Sequence, residues 1–316
     1  MSVVGALRRV GYACMPLGYA AIRSPRTTVL RLATPEKLRE LIQWNIGNLE
    51  ETLRYNARQN FGLFRIGTQF IPFGSHPENP LAWQEEFGAE LRRVGDLARS
   101  LGLRLSFHTT NYVLLNSLRE SVVHAGLAEI EYQSRVLDLM GLDASHRVVV
   151  HAGIRRPEAS VARARFCQAL DQLSEGARRR VVIENDEKQW SADEVALTAR
   201  DAGIPMVFDT LHHQVCGGAW RDRPLAEILA SVFDTWCDED GIPKVHFSSQ
   251  DPEKRPGAHG DEVDPEELEA FLAQAETLGR PFDLMIEAKA KDLAVLHAAP
   301  VLARHGVRVG PQRPES

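Results

Sequence analysis

The chain has 316 residues and a formal net charge of −6, with 37 basic side chains against 43 acidic ones. That balance argues against a generic polyanion binder, although local arginine patches can still take phosphate. The length suits one α/β barrel, about 250 residues plus insertions. No apolar run approaches the roughly 20 residues of a membrane span. Arg8 and Arg9 interrupt the N-terminal apolar stretch where a secretion signal would need its apolar centre. The cysteines Cys14, Cys167, Cys216 and Cys237 are scattered, with no CxxC pair. Neither a disulfide framework nor a structural zinc site is suggested, which fits a reducing cytosol.

In chain order, short apolar and β-branched runs predict eight strands: Val10–Cys14, Leu63–Phe70, Arg104–His108, Arg147–His151, Arg180–Asp186, Pro205–Asp209, Lys244–Ser248 and Asp283–Ala288. Helix-period segments lie between them, clearest from Thr34 to about Gln59, with Thr34 as N-cap and Pro35 at the first helical position. Ser191-x-x-Glu194 and Asp264-x-x-Glu267 read as capping boxes opening later helices. A frayed tail is expected over 311–316, leaving 1–310 as one domain. Eight strands alternating with helices predict a single (β/α)8 TIM barrel, with a doubly wound sheet as the alternative.

The acids and histidines fall at one place on this plan. His108, His151, Glu184, Asp209, His212, His246 and Glu287 sit at or just past the C-terminal ends of predicted strands. A closed parallel barrel opens all those ends on one face, so these residues would converge. A ring of imidazoles and carboxylates is what a multi-metal centre needs. Asp209-x-x-His212 can give a carboxylate to one metal and an imidazole to a second; the alternative is a helix cap. His108 and His151 end adjacent strands, so one metal could take both, with Glu184 as third ligand.

Lys244 shares a strand face with His246 and would lie just below it. A buried lysine near cations has a depressed pKa. It could be a neutral amine for proton transfer, a carbamate ligand, or a salt-bridge partner of Glu184 or Glu287. His76, on the loop after the second strand, could be a ligand, a phosphate contact or an acid/base. The loop after the seventh strand carries His259 back towards the cluster. Its Lys254 and Arg255 could reach a phosphate or simply be solvated.

With these residues assembled, the chain resembles the UV damage endonuclease family. The matching pieces stand in order: GYAC (11–14), FRIG (64–67), IPFGSHP (71–77), VVHAG (149–153), IENDE (183–187), VFDTLHH (207–213), KVHFSSQDPEKRPGAH (244–259) and MIEAK (285–289). The resemblance implies a barrel with three divalent ions, Mn first with Zn or Mg as alternatives, held by His108, His151, Glu184, Asp209, His212, His246, His259 and Glu287. It implies Lys244 as the active-site lysine, with Tyr12 and His76 lining the site. It implies incision of damaged double-stranded DNA immediately 5′ to UV photoproducts by a cytoplasmic, nucleoid-associated enzyme. A monomer is expected, since a duplex must reach the barrel mouth. Endonuclease IV is a more distant likeness. Its Asp-x-His has Gly257 at the first position here, and a carboxylated Lys244 could supply the missing carboxylate.

One departure is visible. The family's His-Pro-Gly-Gln-aromatic run is replaced by His108-Thr109-Thr110-Asn111-Tyr112. The resemblance makes Asn111 and Tyr112 a lesion wedge, with the amide one methylene shorter. The rival readings are endonuclease IV-like cleavage at abasic sites, a sugar isomerase or epimerase on a similar barrel, and a damage-binding protein with a decayed site.

Overall fold

The computed structural model of the protein describes residues 5–311. The end of the expected tail, from residue 312, lies outside the described residues, as do residues 1–4. Eight parallel strands close into a barrel in sequence order: β1 Leu7–Ala13, β2 Leu63–Arg65, β3 Arg104–His108, β4 Arg147–His151, β5 Val181–Glu184, β6 Met206–Asp209, β7 Lys244–Phe247 and β8 Phe282–Ile286. The (β/α)8 expectation is the observed fold, and the doubly wound alternative is not.

Two strands differ most from the sequence reading, and β5 to β8 differ from it by only one or two residues at an end. β1 begins at Leu7, because that segment pairs with β8 from Leu7↔Phe282 onwards. β2 stops at Arg65, five residues before the predicted end. Beyond it only Ile66 still donates to Ser106 O, at 2.8 Å, and a loop rich in Gly and Pro follows. Gly11 is required where β1 meets β2: a Cβ there would lie 1.9 Å from Leu63 O.

Helices cover the outside of the barrel. The first, Pro35–Arg58, has Thr34 as N-cap, its hydroxyl accepting from Lys37 N. It buries Leu38, Leu41, Ile42, Ile46, Leu49 and Leu53 against the sheet. Each such side chain contributes about 2 kcal/mol. The Ser191–Glu194 capping box is present. The second predicted box is half made. Asp264 accepts from Glu266 N and Glu267 N, but the Glu267 carboxylate turns away to accept from Ser249 Oγ at 2.6 Å. No helix among the described residues is long and apolar enough to cross a membrane.

Candidate metal centre

Side chains alternate along each strand, so residues two apart share the barrel interior. The last inward position of six strands carries a donor: His108 on β3, His151 on β4, Glu184 on β5, Asp209 on β6, His246 on β7 and Glu287 just past β8. Glu184 is the hub, with no solvent exposure. Its Oε2 lies 2.7 Å from His108 Nε2 and 3.9 Å from His151 Nε2, and its Oε1 lies 2.7 Å from His246 Nδ1. His246 Nδ1 also lies 3.1 Å from Glu287 Oε1. The imidazoles form an arc, with ring centres 5.0 Å apart for His108 and His151, 6.1 Å for His151 and His212, and 5.9 Å for His212 and His259.

Three groups bring their donor atoms within 4.8 Å of one another: His108, His151 and Glu184; Glu184, Asp209 and His212; Glu184, His246 and Glu287. These residues fit divalent ions on two further counts. Asp209 Oδ2, in the second of these groups, is buried without a hydrogen-bond partner. An orphaned buried polar atom costs about 1–3 kcal/mol, which a ligand would recover. The Nδ1 atoms of His108, His212 and His259 each face a backbone oxygen, of Thr109 at 2.8 Å, Asn185 at 3.0 Å and Glu287 at 2.7 Å. A donor N–H on that side leaves Nε2 as the ligating nitrogen. His259 belongs to none of the three groups but stands beside them through His212.

The electrostatics follow from crowding. Burial would raise Glu184, but the His246 and His108 imidazoles hold it well below the carboxylate range. Burial raises Asp209, and Glu184 and Glu287 add to that. Burial would lower His212, but Asp209, Glu184 and Glu287 raise it to about 9. Burial lowers His151, helped by His108 and His212. Without metal, protons therefore carry the compensating positive charge, and metal binding would release them.

Lys244 lies in the barrel interior, one inward position below His246, and is 1% exposed. The predicted alternative of a salt bridge to Glu184 or Glu287 is not found: no carboxylate of the described residues lies within 4 Å of its Nζ. Its register neighbour is Asp283, whose Oδ2 is taken by Arg104 at 2.7 Å. Burial and the Arg104 cation push the Lys244 ammonium well below its ordinary value, with Arg65 and Arg147 adding to the effect against the pull of Asp283.

Two expected site residues make no contact with the donor cluster. Tyr12 faces the helix layer and not the barrel mouth. Its hydroxyl donates to Asn56 Oδ1 at 2.7 Å and its ring packs edge-on against Phe61 and Phe64. Alternation explains this: Arg9 reaches inward to Asp283, so Tyr12, three residues on, points outward. His76 is exposed on the loop after β2. Its Nδ1 accepts from Glu78 N at 3.2 Å, and it makes no hydrogen bond to the cluster.

The β3 loop keeps its tip without Pro-Gly. Thr109 ties back to Val149 O through its N–H at 2.9 Å, and Val113 N donates to Thr110 O at 3.0 Å. This turn presents Asn111 and Tyr112 at its apex. Asn111 shares a 200 Å³ cleft with His151, Gly153 and Glu187. Tyr112 is 86% exposed. Lys254 and Arg255 are exposed, paired with Asp251 at 3.0 Å and Glu187 at 3.6 Å.

Two residues escaped the sequence reading. Asn185 brackets Asp209, accepting from its N–H at 2.9 Å and donating to its carbonyl at 3.0 Å, while its own carbonyl faces His212 Nδ1. Arg65, at the end of β2, directs its guanidinium to Glu287 Oε1. An Arg at a strand end was a readable signal, hidden by running β2 on to Phe70.

The family described as UV-endonuclease UvdE matches residues 8–307. The chain is 33% identical over 291 residues to a UV DNA damage endonuclease of Clostridium perfringens, covering 91% of this chain and 69% of that one. The crystal structure of SacUVDE superimposes with a TM-score of 0.87 at 29% identity, over 95% of this chain and 99% of that one. Endonuclease IV from Thermus thermophilus shares the fold, with a TM-score of 0.60 and 16% identity over 94% of this chain and 100% of that one.

Proposed function

The chain belongs to the UV-endonuclease family, and on that premise we propose that it is a DNA repair endonuclease that incises damaged duplex DNA immediately 5′ to UV photoproducts, with residues 1–310 as one endonuclease domain acting as a monomer. The observation that carries the reading is the convergence of three donor groups on Glu184 at the barrel mouth, with Asp209 Oδ2 buried and unpaired among them. Three divalent ions would be held by His108, His151 and Glu184, by Glu184, Asp209 and His212, and by Glu184, His246 and Glu287, with His259 closing the second; the mixed nitrogen and oxygen set suits Mn or Zn, with Mg as a further alternative. Such ions, when bound, lower the pKa of water and stabilise a leaving oxygen.

The protein residues prepare that chemistry. Asn185 fixes the orientation of Asp209 and His212, so neither has to reorganise during the reaction. Lys244, whose ammonium form burial and Arg104 disfavour beneath the centre, can exchange a proton there. Its neutral amine can also add carbon dioxide with release of a proton to give a carbamate, whose anion would sit among Arg65, Arg104 and Arg147. Tyr112 and Asn111, at the apex of the β3 turn, would fill the gap left by extruded nucleotides, and the shorter amide should alter the lesion range relative to the family. Lys254 and Arg255 would exchange Asp251 and Glu187 for flanking phosphates, so affinity should fall with salt.

The test is incision of end-labelled duplexes in Mn²⁺, carrying one photoproduct, one abasic site or no damage. A cut directly 5′ to the photoproduct is expected. Cleavage of the abasic duplex alone would give the protein an endonuclease IV-like activity instead. Cleavage of none, with metals confirmed bound, would overturn the nuclease reading in favour of a small-molecule barrel enzyme.

A further inference from the structure

Arg65, at the end of β2, puts a fixed cation at the rim of the barrel mouth beside Glu287. Its side chain is 14% exposed, so it is walled in by the barrel yet reachable from the mouth. One amino group is spent on Glu287 Oε1. A guanidinium carries five N–H donors, and no other hydrogen bond to the Arg65 side chain occurs among the described residues. The arginines at the opposite end of the barrel behave differently. Arg104 contacts Ser145 O at 2.8 Å, Ile242 O at 2.5 Å and Asp283 at 2.7 Å, and Arg180 contacts Asp138, Asp143, His146 and Leu142. The buried guanidinia of Arg104 and Arg180 are each held by several oxygens, whereas Arg65 is held by one.

Neutralising Glu287 explains only one of its donors. Glu287 Oε1 already has His246 Nδ1 at 3.1 Å, and a divalent ion in the Glu184, His246 and Glu287 group would neutralise it further. A point charge such as lysine would serve that purpose as well. What a guanidinium adds is a planar fork matched to two oxygens of a phosphate.

We propose that Arg65 is a catalytic residue of the centre, anchored on Glu287 by one donor and presenting its remaining donors to a non-bridging oxygen of the scissile phosphodiester. The inference rests on the endonuclease reading. Hydrolysis adds negative charge to that phosphate in the transition state. A donor held in place by Glu287 meets the charge without reorganising. It makes and breaks no covalent bond itself.

The experiment uses the full chain, metal-loaded, as wild type, Arg65→Met and Arg65→Lys. Three quantities are read: metal content per chain, the single-turnover incision rate on a photoproduct duplex, and equilibrium binding of the same duplex with an uncharged methylphosphonate at the scissile linkage. For Arg65→Met the rate should fall about 100-fold, the cost of one transition-state donor. Metal content and methylphosphonate binding should stay within twofold, because the lost contact is to a charge which that duplex lacks. Arg65→Lys retains the Glu287 pair and should lose about tenfold in rate, an intermediate loss for a charge without the fork. It also carries the test if Arg65→Met does not fold. Loss of metal with an unchanged rate for the loaded fraction would overturn the proposal and leave Arg65 as a counter-charge for Glu287. An unchanged rate in Arg65→Lys would overturn it as well. Failure of the endonuclease reading itself would appear separately, as absence of incision by the wild type.

Discussion

Both ends of this barrel bury charge, and they treat it oppositely. At the N-terminal floor, Arg104, Arg147 and Arg180 are almost fully buried, and each guanidinium spreads over several oxygens. Arg147 reaches Asp240 at 2.6 Å, and Trp236 lies between Arg104 and Arg147, with ring distances of 5.7 and 5.6 Å. At the C-terminal mouth, Asp209, His151 and His246 each keep a buried atom without a partner. Burial and charge are common to the two ends; hydrogen-bond satisfaction separates them. A satisfied buried ion holds a fold together, whereas an unsatisfied one waits for a ligand. Asp283 Oδ1, orphaned beside Lys244, marks where the two regimes meet.

The comparison breaks most visibly at Glu184. Glu184→Gln removes the carboxylate that all three donor groups share. Loss of several kcal/mol of transition-state stabilisation would cut incision about a thousandfold. Metal content should fall while circular dichroism stays native. An unaltered metal content and rate would show that the mouth is not the centre. The floor should respond the other way. Arg104→Met leaves Asp283 with only the 3.3 Å contact from Arg9. Breaking such a buried pair costs about 3–5 kcal/mol, readable by urea unfolding, while the folded fraction keeps an incision rate within tenfold of wild type.

A smaller effect comes from His212. Its folded pKa, raised to about 9, exceeds its ordinary value of 6.5. The stability this gives the metal-free protein is fully present below about pH 6.5 and is lost as pH rises through about 9. Urea midpoints of the metal-free wild type should fall across that window relative to His212→Asn. Metal affinity should rise across the same window, since binding displaces the proton. Equal slopes for the two proteins would contradict the assignment. The smallest expected effect is at Tyr12. Tyr12→Phe removes one buried hydrogen bond to Asn56, about 1 kcal/mol, and should leave incision unchanged. A large rate loss would return Tyr12 to the site.

Short apolar, β-branched runs made the eight strands legible, and the position of acids and histidines at each strand end made most of the donor set legible with them. The strand end itself is the fragile step. Extending β2 past Arg65 concealed Arg65, because Ile66 to Phe70 are apolar enough to read as strand although they turn away after one hydrogen bond. The placement of Tyr12 turns on a related point. A motif match places a residue in order along the chain, whereas the face it occupies depends on parity within a paired strand. Asn185 was invisible because its work is done on the backbone of the neighbouring strand.

Taken alone, the sequence determined the barrel, its family and the chemical types of the centre, since these depend on local pattern and on residue identity. The tertiary structure decided which donors stand close enough to share an ion and that Arg65, at the mouth, keeps donors to spare. It also decided that Lys244 has no carboxylate partner. Each of these is set by distance and desolvation between residues far apart in the chain. Pairing and burial exist only once the barrel has closed.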